Sequence, residues 1–372
     1  MSDVVLFEEL EAGNNFKVAV ATLNSEKSLN ALSLDMVHKL HPQLEAWSKD
    51  DQVAMVVLQG AGEKAFCAGG DVVDLYHASV AIGKGNYAPE VETFFTEEYK
   101  LDHLIHTYKK PILLWGHGIV MGGGLGLMAG ASHRVVTEKS RIAMPEITIG
   151  LYPDVGGTYF LNRMPNGCGL FLGLTGASIN AADALYINLA DHAMNFDSKG
   201  DLVQKLQSAA WQDNNEENHK LLTSILMEFE AKADIPAGNI QNHKELIASL
   251  ANAERVESAV VNILDEQTED KWFSRAQASL KHGSALSAQL VFSQLQHGKG
   301  KSLAECFKFE LGVSVQCAAI GEFTEGVRAL LIDKDNQPNW MFDNVADVDK
   351  ALITKMMTSP WSEQAHPLNN LG

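Results

Sequence analysis

An α/β core of repeated strand–strand–helix units, followed by a mostly helical region, is the fold this 372-residue sequence predicts. Three observations lead there. Up to about residue 195, short β-branched runs alternate with amphipathic segments, the pattern of strands and helices packed in layers. Several of the strand-like runs end at glycines, which supply tight turns between successive elements. Past residue 195 the strand signals nearly vanish and helical periodicity takes over. The expected organisation is therefore a core over residues 1–195 and a helical region over residues 196–372.

Taken in order, FKVAVATL (16–23) and VAMVVLQG (53–60) read as strands ending in turn residues. Between them Ser33 can cap a helix running to Trp47, because Met36, Val37, Leu40, Leu44 and Trp47 recur at helical spacing. PILLWGHGIV is a buried-strand pattern broken at its glycines, and a helix opens in the triplet Gly122 to Gly124. RVVT and RIAM are further short strands. DVGGTYFLNRM can start a helix, with Asp154 near its N-terminus. In the second half, HKLLTSILMEFEAKA, RVESAVVNILDEQ and SALSAQLVFSQLQHG are helical, and WQDNNEENHK reads as a loop between helices.

Composition narrows the function. Apolar residues at 46% and charged residues at 20% describe a globular protein with a sizeable core. The formal net charge of −18 repels polyanions, so nucleic acid is not an expected partner, and an anionic ligand needs local cations. Those near the motifs below are Lys27, Lys64, Lys100, Lys109 and Lys110. No apolar run reaches membrane-spanning length. MSDVVLFEEL lacks the basic start and long apolar core of a signal peptide, and the four scattered cysteines read as free thiols, so a cytoplasmic location is expected. No metal-ligand spacing stands out.

The chemistry concentrates in three stretches. AFCAGGDV (65–72) places Gly69 and Gly70 at a bend, where a backbone N–H can point at a ligand, although Gly-Gly-Asp is also an ordinary turn. Cys67, flanked by Phe66 and Ala68, reads as a small buried hydrophobe and not as a nucleophile. GGGLG (122–126) lacks dinucleotide and P-loop spacing; close helix packing and exposed N–H groups both suit it. Glu146, in apolar surroundings after Pro145, would have a raised pKa if buried, and is otherwise a solvated loop carboxylate. Asp154 is either a functional carboxylate or the N-cap of the next helix. Two carboxylates and a set of backbone donors point together to acyl chemistry.

In that order the motifs KSLNAL, GEKAFCAGGD, GHGIVMGGGLGL and MPEITIGLYPDVGGTYFLNR resemble the crotonase (enoyl-CoA hydratase/isomerase) superfamily, whose fold is a spiral of ββα units. The resemblance implies an oxyanion hole at the N–H groups of Gly70 and Gly123. It implies a coenzyme A channel along Lys27, Ser28 and Leu29 and along Lys64 to Phe66, with Ala68 and Asp71 as further substrate contacts. Glu146 falls on the family's second catalytic glutamate. Gly126 stands where hydratases carry their first, so hydration should be poor. Asp154 stands where hydratases commonly have glycine. That pairing, with FFTEEYKLDHLI (94–105) and EGVRALLIDKDNQPNW (325–340), resembles the branch that hydrolyses 3-hydroxyisobutyryl-CoA in valine breakdown, in which Glu98 would contact substrate.

The expected activity is thus hydrolysis of 3-hydroxyisobutyryl-CoA or a close short 3-hydroxyacyl-CoA. Glu146 would act as nucleophile or as base on water, and Asp154 and Glu98 would hold the 3-hydroxyl. Coenzyme A enters as part of the substrate, no other cofactor or metal is implied, and a homo-oligomer is compatible. The competing readings are an enoyl- or dienoyl-CoA isomerase, which also uses a carboxylate at the Asp154 position, and a non-catalytic acyl-CoA-binding homologue. Release of free thiol separates the hydrolase from both.

Overall fold

The structure, a computed structural model, describes residues 3–250 and 252–371. They form two compact units. The first comprises the chain through Gly70, Leu101–Ile142 and Ile179–Asn239; the second comprises Asp71–Lys100, Ala143–Ser178 and the chain from Ile240 onward. Each unit draws on sequence from both sides of residue 195. Periodicity reports which segments are helical, and burial against distant segments decides which of them fold together.

Among the described residues nine strands are formed: β1 (Val5–Glu11), β2 (Lys17–Leu23), β3 (Val53–Gly60), β4 (Ala65–Cys67), β5 (Ile112–Gly116), β6 (Ile119–Met121), β7 (His133–Thr137), β8 (Arg141–Ala143) and β9 (His192–Met194). They make a six-stranded sheet in the order β1-β2-β3-β5-β7-β9 and a three-stranded sheet in the order β4-β6-β8. Each of the successive pairs β3/β4, β5/β6 and β7/β8 sends its first strand to the large sheet and its second to the small one. Helices follow: α1 (Leu34–Lys49) after β2, α2 (Val72–Ile82) and α3 (Pro89–His106) after β4, and α4 (Gly123–Gly130) after β6. This is the repeated ββα plan expected from the sequence.

The physical causes are local in most cases. In β3 seven of eight residues are buried, so the strand is apolar on both faces, as an interior parallel strand must be. PILLWGHGIV gives β5 and β6, interrupted at His117 and Gly118 after β5 ends on Gly116, as the glycines suggested. Ser33 Oγ accepts the Met36 N–H, and Met36, Val37, Leu40, Leu44 and Trp47 are the buried face of α1. The core of the first unit sets Val18, Val20, Met55, Val57, Leu113 and Trp115 from the sheet against Leu202, Leu206, Trp211, Leu222 and Leu226.

Two local features differ from expectation. Val5–Glu11 is a strand, paired antiparallel with β2 at the sheet edge, although its glutamates hide the pattern; with only one strand beside it, outward-facing carboxylates stay solvated. WQDNNEENHK is only partly a loop. Asn214 accepts the Glu217 N–H and opens the helix Asn215–Glu230, whose first turn takes Glu216 and Glu217 at its positive end.

The second unit is helical around the segment Leu303–Ile320, opened by a capping box of Ser302 and Glu305 and buried for most of its length. A four-residue helix α5 (Gly157–Phe160) lies in the same unit.

Candidate active site

In the first unit, the glycine motifs are assembled by backbone pairing. Leu29 O accepts the Ala68 N–H at 3.1 Å and Gly69 O accepts the Leu32 N–H at 2.8 Å, so KSLNAL is stitched to AFCAGG. Those bonds do not use the Gly70 N–H. β4 runs parallel to β6, with Cys67 beside Val120. Gly69 turns the chain at φ +111°, a conformation L side chains rarely adopt. Gly124 is required for contact: a Cβ there would lie 2.5 Å from the Cys67 carbonyl oxygen. Because that clash is absent, α4 seats directly against β4. Gly123 begins α4, so its N–H belongs to the first turn, which has no carbonyl partner within the helix. The pairing described above uses neither the Gly70 nor the Gly123 N–H, the two donors expected from the sequence.

The other predicted residues of this unit divide. Lys27 and Ser28 are exposed in a short 3₁₀ turn (Glu26–Ser28), and Leu29 is held in the left-handed region at φ 55°. Lys64 is exposed, and its carbonyl accepts the Ile119 N–H at 3.0 Å. Phe66 is fully buried, its N–H donating to His117 O, so its side chain is core and any ligand contact there is through backbone. Ala68 is half-buried. Lys110 is structural: its ammonium donates to the carbonyls of Trp47 and Asp50 at 2.8 and 2.6 Å. Cys67 is buried, as its neighbours implied.

The second unit holds the carboxyls. Asp71 starts α2 without capping it through its side chain. Glu98, Glu146 and Asp154 have relative exposures of 2%, 5% and 4%, which excludes a solvated loop role for Glu146. Burial, reinforced by the Asp154 charge, pushes the Glu98 and Glu146 carboxyls well above the usual range. The Glu98 charge also acts on Glu146, so all three lie within electrostatic reach of one another. Glu98 Oε1 and Glu146 Oε2 are buried with no hydrogen-bond partner among the described residues, as atoms waiting for a ligand would be.

Asp154 is not the helix cap. Its side chain accepts the Tyr99 O–H through Oδ2 at 2.5 Å, and only its backbone carbonyl takes the Gly157 N–H. Burial pushes its carboxyl up to about 6, against the lowering effect of the Tyr99 bond. The cap comes from far along the chain: Glu310 accepts the Gly156 N–H at 2.8 Å and the Thr158 N–H at 2.7 Å. Gln294 adds a bond to the Pro153 carbonyl. Val155, a buried β-branched residue next to Asp154, is held at φ 49°, a strained conformation.

Tyr99, Tyr152, Glu310 and Ser314 were missed by sequence reasoning. Tyr99 follows Glu98 directly in FFTEEYKLDHLI, and Glu310 and Ser314 are polar residues one helical turn apart in the apolar stretch FELGVSVQCAA. Those interruptions were the available signal. Among the described residues no cluster of His, Cys, Asp or Glu is disposed to hold a metal ion, and no helix is long and apolar enough to cross a membrane.

With this geometry in place, comparison with known proteins is informative. Residues 18–357 match the enoyl-CoA hydratase/isomerase family. The chain is 40% identical over 363 residues to a mitochondrial 3-hydroxyisobutyryl-CoA hydrolase of Danio rerio, covering 95% of this chain and 89% of that protein. It is 37% identical to the mitochondrial 3-hydroxyisobutyryl-CoA hydrolase of Homo sapiens, covering 86% and 81%. Among solved structures, an enoyl-CoA hydratase from Rhodobacter sphaeroides 2.4.1 superposes with a TM-score of 0.82 at 30% identity, covering 96% and 98%. A carnitinyl-CoA dehydratase from Mycobacterium thermoresistibile does so at 0.84 and 31%, covering 96% and 97%.

Proposed function

The chain belongs to the enoyl-CoA hydratase/isomerase family, and from that premise we propose that it is an acyl-CoA thioester hydrolase acting on 3-hydroxyisobutyryl-CoA or a close short 3-hydroxyacyl-CoA. The observation that carries this reading is the buried set Glu98, Glu146 and Asp154, together with a glycine at position 126. The two solved relatives are named as a hydratase and a dehydratase. Adding water to a double bond requires a pair of groups that Gly126, inside α4, does not complete. The hydrolase relatives match at higher identity than the two solved structures, which supports hydrolysis over hydration.

Hydrolysis needs donors for the oxyanion, a carboxylate to act on the carbonyl carbon or its water, and a proton for the departing thiolate. The Gly70 and Gly123 N–H groups serve the first need, each donor of this kind being worth about 3 kcal/mol at the transition state. Glu146 serves the second, as nucleophile or as base. Burial favours its protonated form at rest, so its proton must move before it reacts. Asp154, ionised at rest under the Tyr99 hydrogen bond, accepts the 3-hydroxyl hydrogen bond. The proton that Glu146 gives up before it reacts passes to Asp154 and from there to the departing sulfur, and the water that completes hydrolysis returns a proton to Glu146. Glu98 assists in holding the hydroxyl. The coenzyme runs past Lys27 to Leu29 and Lys64 to Ala68, beside Asp71. The chemistry calls for no further cofactor. A role in valine breakdown, assembly as a homo-oligomer and a reducing, cytoplasmic location complete the proposal; the four described cysteines are buried and not joined in disulfides.

The test is steady thiol release from 3-hydroxyisobutyryl-CoA, read with a thiol reagent, beside hydration of crotonyl-CoA. Release should be the faster. Faster hydration, or no release, removes the hydrolase reading.

A further inference from the structure

Asp154 sits at the end of a line of hydroxyl groups. Tyr99 Oη is 2.5 Å from Asp154 Oδ2 and 2.8 Å from Ser314 Oγ. Ser314 Oγ is in turn 3.1 Å from Tyr152 Oη, which donates to the Glu310 carbonyl at 2.8 Å. All four side chains in this line are buried. Each hydroxyl has one proton to give, which sets the direction of the line. With Asp154 ionised, Tyr99 gives its proton to Oδ2, Ser314 gives its proton to Tyr99, and Tyr152 gives its proton to the Glu310 carbonyl. Every proton then has an acceptor, and the bond to the carboxylate is charge-assisted, the stronger kind.

The line is also mechanically fixed. The Tyr99 ring packs at 5.8 Å from Phe95 and 5.7 Å from Phe307. Ser314 lies one turn after Glu310 on the helix whose Glu310 side chain holds the Asp154 loop. The titratable groups acting on Asp154 or acted on by it are Glu98 and Tyr99 of α3, Glu146, Tyr152, and Glu310 and Cys317 of the Leu303–Ile320 helix. None of them is a cation. The Tyr99 hydroxyl, ahead of a backbone hydrogen bond at Asp154 itself, is therefore the main group that favours a charge on Asp154, and it is the one a side-chain substitution removes.

Resting on the hydrolase reading, we infer that Tyr99 is a positioning residue for Asp154. Its O–H, backed by Ser314, engages Oδ2, keeps Asp154 as the charged acceptor among three buried carboxyls, and leaves Oδ1 for the 3-hydroxyl of the substrate. Glu98 and Glu146, with no such donor, take the protons.

The experiment titrates Asp154 in the full-length chain by ¹³C NMR of carboxyl-labelled aspartate, its resonance identified by its loss in Asp154→Asn. Tyr99→Phe keeps the ring packing and removes the donor, so the Asp154 midpoint should move to higher pH. Thiol release should show kcat about tenfold lower, the scale of a lost hydrogen bond to a charged group. Its acid limb should move to higher pH in parallel, and discrimination between 3-hydroxyisobutyryl-CoA and isobutyryl-CoA should fall. Ser314→Ala, which leaves the tyrosine in place, should shift the midpoint in the same direction by less, and it decides the matter if Tyr99→Phe does not fold. An unmoved midpoint in a folded variant overturns the inference, even if a lowered melting temperature shows that the line matters for stability. Absence of thiol release in the unmodified protein would sink the hydrolase reading instead, and the titration would still judge Tyr99.

Discussion

On the hydrolase reading, the groups that the first unit offers to a ligand are backbone N–H donors, set by strand pairing, a left-handed glycine turn and one close helix contact, all within residues 27–124. In the second unit they are carboxyls whose charge state depends on α3, the Asp154 loop and a helix beginning at Leu303. A backbone donor is always an N–H, so only its direction must be arranged, and short contiguous motifs can do that. A carboxyl has two protonation states, and choosing between them takes burial and partners from wherever the chain can bring them. The donor site should therefore be sensitive to added atoms and indifferent to pH. The carboxyl site should be the reverse.

The largest effect that tests this contrast is on the reactive carboxyl. Glu146→Gln keeps the side chain's size and removes its charge, so thiol release should fall by about 10²–10⁴, the range of a lost general base. A loss under tenfold would move the reaction to another group. Next, Gly124→Ala adds the Cβ that would meet the Cys67 carbonyl at 2.5 Å. Displacement of α4 should lower kcat by about 10², the scale of one lost oxyanion donor, with no change in the shape of the pH profile. A changed profile would mean that the donors and carboxyls are not separable.

Asp154→Asn should act on selectivity. Preference for 3-hydroxyisobutyryl-CoA over isobutyryl-CoA should shrink by about tenfold as the charged acceptor is lost. Intact preference with a lowered melting temperature would reduce Asp154 to a structural role. Glu310→Gln replaces an acceptor of two N–H groups by an amide that serves only one, costing about 1–3 kcal/mol. The effect carries a pH signature. Burial raises the Glu310 carboxyl to about 8 from 4.5, so its stabilising share is complete below about 4.5 and is lost as pH rises through about 8. Denaturation midpoints should show the unmodified protein ahead of Glu310→Gln by more at pH 5 than at pH 9; a constant gap contradicts the raised value. Smallest is Lys27→Ala. The side chain is exposed, and an exposed ionic contact is worth under about 1 kcal/mol, so KM should rise about two- to fivefold with kcat unchanged.

Sequence alone determined the elements that arise from near neighbours. Alternation and apolar runs located β2, β3 and β5, Ser33 and its helical stripe located α1, and the glycine triplet located α4, because periodicity, capping and turn geometry act within a few residues. Gly70, Gly123 and Glu146 were readable as a candidate site through the order of their motifs and the family resemblance which that order carries. Edge strand β1 escaped because an edge tolerates glutamates. The nature of Asp154 could not be read from PDVGGTY, where an N-cap is equally natural. Tertiary structure settled it by giving the cap to Glu310, 156 residues later, and the carboxylate to Tyr99, 55 residues earlier. A pKa in a desolvated pocket is a sum over whatever surrounds the group in space, and the order of residues along the chain does not contain that sum.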